Sequence, residues 1–218
     1  MKNVISLFVL FLLLFQFSCK KEEEDPINQD VDLTLLYEED FTSGIHKVFN
    51  QNNWPVNFTD EGAVVSVGGT GNAGLALVPL YSTLQTPDDL TYGASVTFSF
   101  SATTGTGAFG FIFTGNGGLG GTSIMVSKAG YALLHDARGR STPVLSRLGS
   151  GGLFYVGHLM DADGDINLSM AVNKKYIAYY VNGHKVYEQA SFIPAGRACG
   201  FSYYPPVSVN VKKFSTYD

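Results

Sequence analysis

The sequence predicts an all-β protein built as a two-sheet antiparallel sandwich, and three observations support this prediction. Apolar residues alternate with polar ones along much of the chain, and the spacing typical of amphipathic helices is absent. Glycine is abundant, with 25 residues among 218, and turn sequences recur between the alternating runs. Charged residues make up 15%, below the usual share of about a quarter, which argues against a disordered chain or a coiled coil.

The strands are clearest where one face of an alternating run is apolar, because such a run places one face on a core and the other toward water or a cleft. The inward positions of four such runs are Val96, Phe98 and Phe100; Phe109, Phe111 and Phe113; Ile166, Leu168, Met170 and Val172; and Val207, Val209 and Val211. About a dozen strands are predicted in all, and so many strands in one domain favour a jelly roll.

A β-hairpin is predicted at Asn182-Gly183, between the runs Tyr176–Val181 and His184–Tyr187. A type I′ turn needs positive φ at both central residues, which Asn-Gly supplies.

The run Tyr176–Val186 resembles the hairpin near the end of concanavalin A-like lectin and glucanase domains. A closing strand, Val207–Tyr217, follows in the order that such domains use, and Gly107–Phe113 and Gly130-Tyr131 resemble two further strands. The resemblance covers about residues 36–218 and implies a concanavalin A-like jelly roll. This fold hosts lectins, glycanases and adhesion modules, so it leaves the function open.

Residues 1–18 have the features of a lipoprotein signal peptide. Lys2 is followed by a stretch from Ile5 to Phe15 that is apolar apart from Ser6 and too short to span a bilayer. Phe17-Ser18-Cys19 resembles the lipobox of bacterial lipoproteins, although Phe17 is bulkier than the usual residue. The resemblance implies cleavage after Ser18 and attachment to a membrane through a lipid on Cys19. The alternatives are an ordinary signal peptide or an N-terminal anchor helix.

We expect residues 19–34 to hold the lipidated cysteine and an acidic tether, and residues 35–218 to form the β-sandwich domain. The run from Lys20 to Pro26 resembles the acidic surface-export signal of some Gram-negative lipoproteins, which implies an outer-membrane protein exposed on the cell surface. Six of the 19 acidic residues lie between Glu22 and Asp32, so the domain itself is nearly neutral. With a net charge of −5, the chain has no basic footprint for nucleic acid.

The sequence offers few candidates for a pair of catalytic carboxylates. A retaining glycosidase needs two carboxylates about 5–5.5 Å apart, and no strand carries the Glu-x-Asp-x-Glu array of the jelly-roll glucanases. The sequence therefore favours a protein without catalytic activity. A pair assembled from separate strands, such as Asp136 with Glu188, is the alternative.

A metal site is not favoured either. Asp161, Asp163 and Asp165 could offer oxygen ligands to calcium, but Ile166 and Val172 stand where an EF-hand loop has its glycine and its last glutamate. The four histidines lack close metal-ligand spacing. We expect a polar turn and no cofactor, with calcium as the alternative.

A ligand site is predicted in the segment Gly130–Arg140. If Leu134 points into the core, Tyr131 and His135 share the opposite face, and the strand delivers Arg138 and Arg140 to a loop. A sugar ring stacks on aromatic side chains, and its polar groups pair with guanidinium groups. In the alternative interpretation Tyr131 lies in the core and the arginines form a solvated turn.

The expected function is that of a surface lipoprotein that binds a carbohydrate or another surface polymer. A glycoside hydrolase or lyase on the same fold is one alternative, and a structural or adhesion lipoprotein with a protein partner is the other. Cys199 lies among small and apolar neighbours and is expected to be a buried, inert thiol. Trp54, the single tryptophan, is expected to anchor the core, with a stacking platform as the alternative.

Overall fold

The computed structural model describes residues 33–43, 56–69, 74–78, 92–114, 121–136, 144–145, 153–161, 163–173, 175–190 and 198–217. The signal peptide, Cys19, nearly all of the tether and Trp54 lie outside these residues. Within them the chain forms fifteen strands: β1 (Leu35–Asp40), β2 (Val56–Thr59), β3 (Gly62–Val67), β4 (Gly74–Val78), β5 (Tyr92–Phe100), β6 (Ala108–Thr114), β7 (Gly121–Ser127), β8 (Tyr131–Asp136), β9 (Val144–Leu145), β10 (Leu153–Tyr155), β11 (Ile166–Val172), β12 (Tyr176–Val181), β13 (His184–Ala190), β14 (Ala198–Tyr204) and β15 (Val207–Tyr217).

The strands form two antiparallel sheets, as the alternation predicts. The first sheet has the order β13-β12-β11-β5-β15-β3-β2, with β1 also paired to β15. The second has the order β10-β8-β7-β6-β14-β4, with β9 also paired to β8. A short 3-10 helix, Gly157–Leu159, follows β10.

In the part of the chain that the structure describes, no helix has the length and apolar character needed to cross a membrane.

The core lies between the sheets and is rich in phenylalanine. The predicted inward positions of β5, β6, β11 and β15 are buried there. Phe201 of β14 joins the two sheets, since its ring centroid lies 5.4 Å from that of Phe109 and 5.8 Å from that of Phe214. Cys199 on the same strand is 1% exposed, which confirms the expected burial of its thiol.

The predicted hairpin is present, with φ of 46° at Asn182 and 81° at Gly183. The Asn182 side chain also ties the turn to two other segments. Its Oδ1 accepts a hydrogen bond from the backbone N–H of Asn167 at 2.7 Å, and its Nδ2 donates one to the carbonyl of Leu159 at 2.8 Å. The turn therefore fixes the segment that joins β10 to β11.

Asn182→Ala is expected to lower the free energy of unfolding by about 1–3 kcal/mol, because it leaves polar backbone groups unpaired and puts alanine at positive φ. Urea unfolding measures the loss. Asn182→Gly is the matched variant, since glycine accepts the backbone conformation and loses only the hydrogen bonds. An unchanged urea midpoint for Asn182→Ala would contradict this role.

The strand count exceeds the predicted dozen because the sandwich contains very short strands. β9 has two residues and β10 has three. Strands of this length show no alternation in the sequence, and their pairing with β8 defines them.

Candidate functional site

β8 presents Tyr131 on the outer face of the second sheet, as the alternation predicts. Ala132 and Leu134 belong to the core, and Tyr131 on the opposite face is 46% exposed. The position of His135 falls on the same outer face and pairs with Ser123 of β7. It lies four positions along the strand from Tyr131, or about 13 Å.

Arg138 and Arg140 lie outside the described residues. The predicted set of Tyr131, His135, Arg138 and Arg140 therefore stays a prediction as a group.

Tyr131 lies beside a second exposed tyrosine, Tyr155 of β10. The two residues are register partners, and their rings meet edge to face with centroids 5.6 Å apart and planes at 68°. Tyr155 is the more exposed of the two, at 59%. The His158 ring follows at 6.4 Å from the Tyr155 ring, tilted by 38°. An aromatic cluster thus faces solvent at this end of β8 and β10.

Tyr204 extends the cluster across the sheet. It is 43% exposed and pairs with Ala108, which pairs in turn with Ser127. The N–H of Tyr131 donates a hydrogen bond to Oγ of Ser127 at 3.2 Å. Tyr131 is therefore linked to Tyr204 through Ser127 and Ala108. We call Tyr204, Tyr131 and Tyr155 the tyrosine row. With strands about 4.8 Å apart, the backbone of Tyr204 lies about 14 Å from that of Tyr131 and about 19 Å from that of Tyr155.

The row marks the exposed end of an otherwise buried face. Neighbouring outer positions of the same sheet are between 0% and 2% exposed, namely Ile112, Ser123, Met125 and Ser202. Ala108 and Ser127, which stand between Tyr204 and Tyr131, are small. Both are buried, at 2% and 8% exposed, so the row consists of the exposed Tyr131–Tyr155 pair and the exposed Tyr204, with covered positions between them.

The charged residues near this end of the sandwich pair with one another. In the turn after β7, Lys128 places its Nζ 4.0 Å from Oδ1 of Asp163. Nζ of Lys212 lies 2.6 Å from Oδ1 of Asp165, and Oδ1 of Asp161 accepts the N–H of Asp163 at 3.1 Å. Within the described residues, no three His, Cys, Asp or Glu side chains come together as metal ligands. The three aspartates form a polar turn that leads into β11.

The two residues of the alternative catalytic pair lie in strands of different sheets. Asp136 belongs to β8 of the second sheet, whereas Glu188 belongs to β13 at the edge of the first. Glu188 instead lies 3.4 Å from the ammonium of Lys185. Among the described strand positions on the outer face of the second sheet, none is Asp or Glu.

Solved structures with the same architecture include β-agarase A in complex with oligoagarose, with a TM-score of 0.62 and 11% identity over 93% of this chain and 98% of that one. The carbohydrate-binding module CBM66 from Bacillus subtilis has a TM-score of 0.55 and 10% identity over 85% and 98%. The Bacillus licheniformis β-glucanase has a TM-score of 0.53 and 13% identity over 83% and 96%. The chain has the jelly-roll fold. At these identities the likeness shows the fold alone, and neither a family scan nor a search of curated proteins finds a match.

Two members of the tyrosine row were not predicted from the sequence. Tyr155 ends a strand of only three residues, and Tyr204 follows a buried run whose outer face is defined only by pairing within the jelly roll. The glycine two positions after Tyr155 is the one local signal, because it marks a close approach of the ring to the backbone.

Proposed function

We propose that this protein is a surface lipoprotein whose jelly roll binds a carbohydrate or a similar surface polymer along the tyrosine row, without catalysing its cleavage. The observation that carries the proposal is the exposure of three aligned tyrosines, at 43%, 46% and 59%. Large aromatic side chains are usually buried for most of their area, so an aligned exposed set points to a binding surface.

Tyrosine suits a sugar because both are amphipathic. The C–H face of a pyranose ring packs on an aromatic face, and the phenol hydroxyl both donates and accepts hydrogen bonds. The jelly-roll neighbours named as a carbohydrate-binding module and as enzymes acting on glucan and agarose favour the same class of ligand.

A chain-like ligand fits the row better than a single sugar. The row crosses the strands over about 14–19 Å, from Tyr204 to Tyr131 and Tyr155. A glycan chain lying across the strands would reach all three rings, whereas one sugar ring reaches only one end.

The proposed membrane anchor agrees with the position of the row. Tyr204 leads through a turn into the start of β15, whereas Leu35, where the tether enters the domain, pairs with Tyr217 at the end of β15. An eleven-residue strand is roughly 35 Å long. A chain lipidated at Cys19 would therefore hold the tyrosine row at the end of the domain away from its attachment point.

The proposed lack of catalysis is supported by the residue types on the outer face of the second sheet. Its described strand positions offer no carboxylate near the row, and glycosidases commonly act through a pair of Asp or Glu side chains. A hydrolase or lyase would need carboxylates from another part of the chain.

The test is binding of the full chain, purified in a detergent without a sugar headgroup, to a panel of polysaccharides. Each supernatant is analysed by mass spectrometry for shorter sugars. Saturable binding without new products supports the proposal. Release of shorter sugars would overturn the non-catalytic assignment. No binding across the panel would favour a protein partner, for which exposed tyrosines are also suited.

Affinity is expected to rise with the length of the oligosaccharide until the ligand spans the row, and to level off beyond it. Isothermal titration calorimetry with a series from one sugar unit upward measures this dependence. Monosaccharide and longer chains binding with equal affinity would contradict a site that extends from Tyr204 to Tyr155.

A further inference from the structure

We infer that Gly157 is a positioning residue that holds the Tyr155 ring in the orientation in which it stacks on ligand, an inference that rests on the proposed function. Gly157 lies behind the ring, where a side chain would otherwise stand. A Cβ added to Gly157 would be 2.5 Å from Cζ of Tyr155 and 2.8 Å from its Cε2. The ring therefore lies against bare backbone, which only glycine allows at this distance.

The backbone under the ring is fixed by its own hydrogen bonds. The N–H of Val156 donates to the carbonyl of Gly130 at 2.8 Å, and the N–H of Met160 donates to the carbonyl of Gly157 at 3.2 Å. Gly130 packs from below, since a Cβ there would be 2.6 Å from Cα of Gly157. Tyr155 thus rests on a floor built from two glycines and closed by main-chain hydrogen bonds.

The remaining contacts of the ring limit its other motions. Tyr131 meets it edge to face at 5.6 Å, and His158 lies at 6.4 Å. Even with these neighbours, Tyr155 stays 59% exposed. A ring that is held from behind and open in front is preorganised, so binding costs less side-chain entropy than it would for a freely rotating tyrosine.

Gly157→Ala is expected to displace the ring and to leave the sandwich intact. The atoms that the new methyl group meets belong to the far end of the Tyr155 side chain, which can rotate away into solvent. Losing one preordered side chain weakens binding by about 3- to 10-fold. The thermal midpoint is expected to stay near that of the natural chain.

The test is a double-mutant cycle on the full chain in sugar-free detergent, with agarose oligosaccharides and soluble β-glucan as separate probes. Its variants are Gly157→Ala, Tyr155→Ala and the combination. Gly157→Ala is expected to weaken binding in the natural background and to have no further effect once Tyr155 is alanine. Gly68→Ala is the matched control, because a Cβ at Gly68 meets no atom within 4 Å.

An equal loss from Gly157→Ala in both backgrounds would overturn the inference, and so would no loss in the natural background. Binding that is insensitive to Tyr155→Ala, or absent for both probes, would count against the proposed function instead. In that case a measurement without ligand tests whether Gly157 positions the Tyr155 ring. The nuclear Overhauser effect between the Tyr155 ring and the Gly157 Hα protons is expected in the natural chain, and its absence would overturn the inference.

Discussion

Phe201→Ala is expected to lower the free energy of unfolding by about 3–5 kcal/mol, the range for deleting a buried phenylalanine ring. Phe201 is 1% exposed and packs against rings from both sheets. Its ring also lies 6.4 Å from that of Phe41, which follows β1. Removing the ring leaves a cavity that rigid strands on two sides cannot close, so the cavity adds to the lost hydrophobic transfer energy.

Urea unfolding followed by circular dichroism measures this loss. Leu36→Ala is the control, because Leu36 is 43% exposed and its truncation is expected to cost less than about 0.5 kcal/mol. If Phe201→Ala shifts the urea midpoint no more than Leu36→Ala does, the role of Phe201 in joining the two sheets is contradicted.

Tyr155→Ala is expected to weaken glycan binding by about thirtyfold, since truncating an aromatic residue that dominates a binding surface costs about 2 kcal/mol or more. Tyr155 is the most exposed member of the tyrosine row and contacts the Tyr131 ring, so its loss removes one stacking surface and releases another. Calorimetric titration with a glycan from the panel that the natural chain binds measures the change in affinity.

Tyr155→Phe separates the contribution of the ring from that of the hydroxyl and is expected to keep most of the affinity. Leu35→Ala is the matched control, because it removes an apolar side chain that is 50% exposed at the opposite end of the domain. Equal affinities for Tyr155→Ala and Leu35→Ala would place the binding surface elsewhere.

Much of the fold could be predicted because alternation determines which side of a strand is buried. The run from Ile166 to Val172 became β11 with its predicted bounds, and the closing strand that the family resemblance implied, Val207–Tyr217, became β15. Asn182-Gly183 adopted the predicted turn, since few other pairs accept positive φ at both positions. The order of strands within the sheets depends on long-range pairing, which alternation does not encode.

The candidate site could be predicted only in part, for the same reason. Residues an odd number of positions apart on a strand point to opposite faces. Leu134 is apolar and points into the core, and it lies three positions from Tyr131, so alternation along β8 predicts that Tyr131 points outward. It does not indicate that Tyr155 and Tyr204 fall in the same row, because those residues reach Tyr131 through pairing with distant strands. The strand position of His135 falls on the face of Tyr131 but lies toward the other end of the strand.

The most direct test of the tyrosine row is nuclear magnetic resonance of the full chain with labelled tyrosine rings, titrated with a panel glycan that it binds. The ring signals of Tyr131, Tyr155 and Tyr204 are expected to shift on binding, whereas those of the fully buried Tyr92 and Tyr179 are expected to stay in place. Saturable binding that leaves the three row signals unchanged would contradict the account.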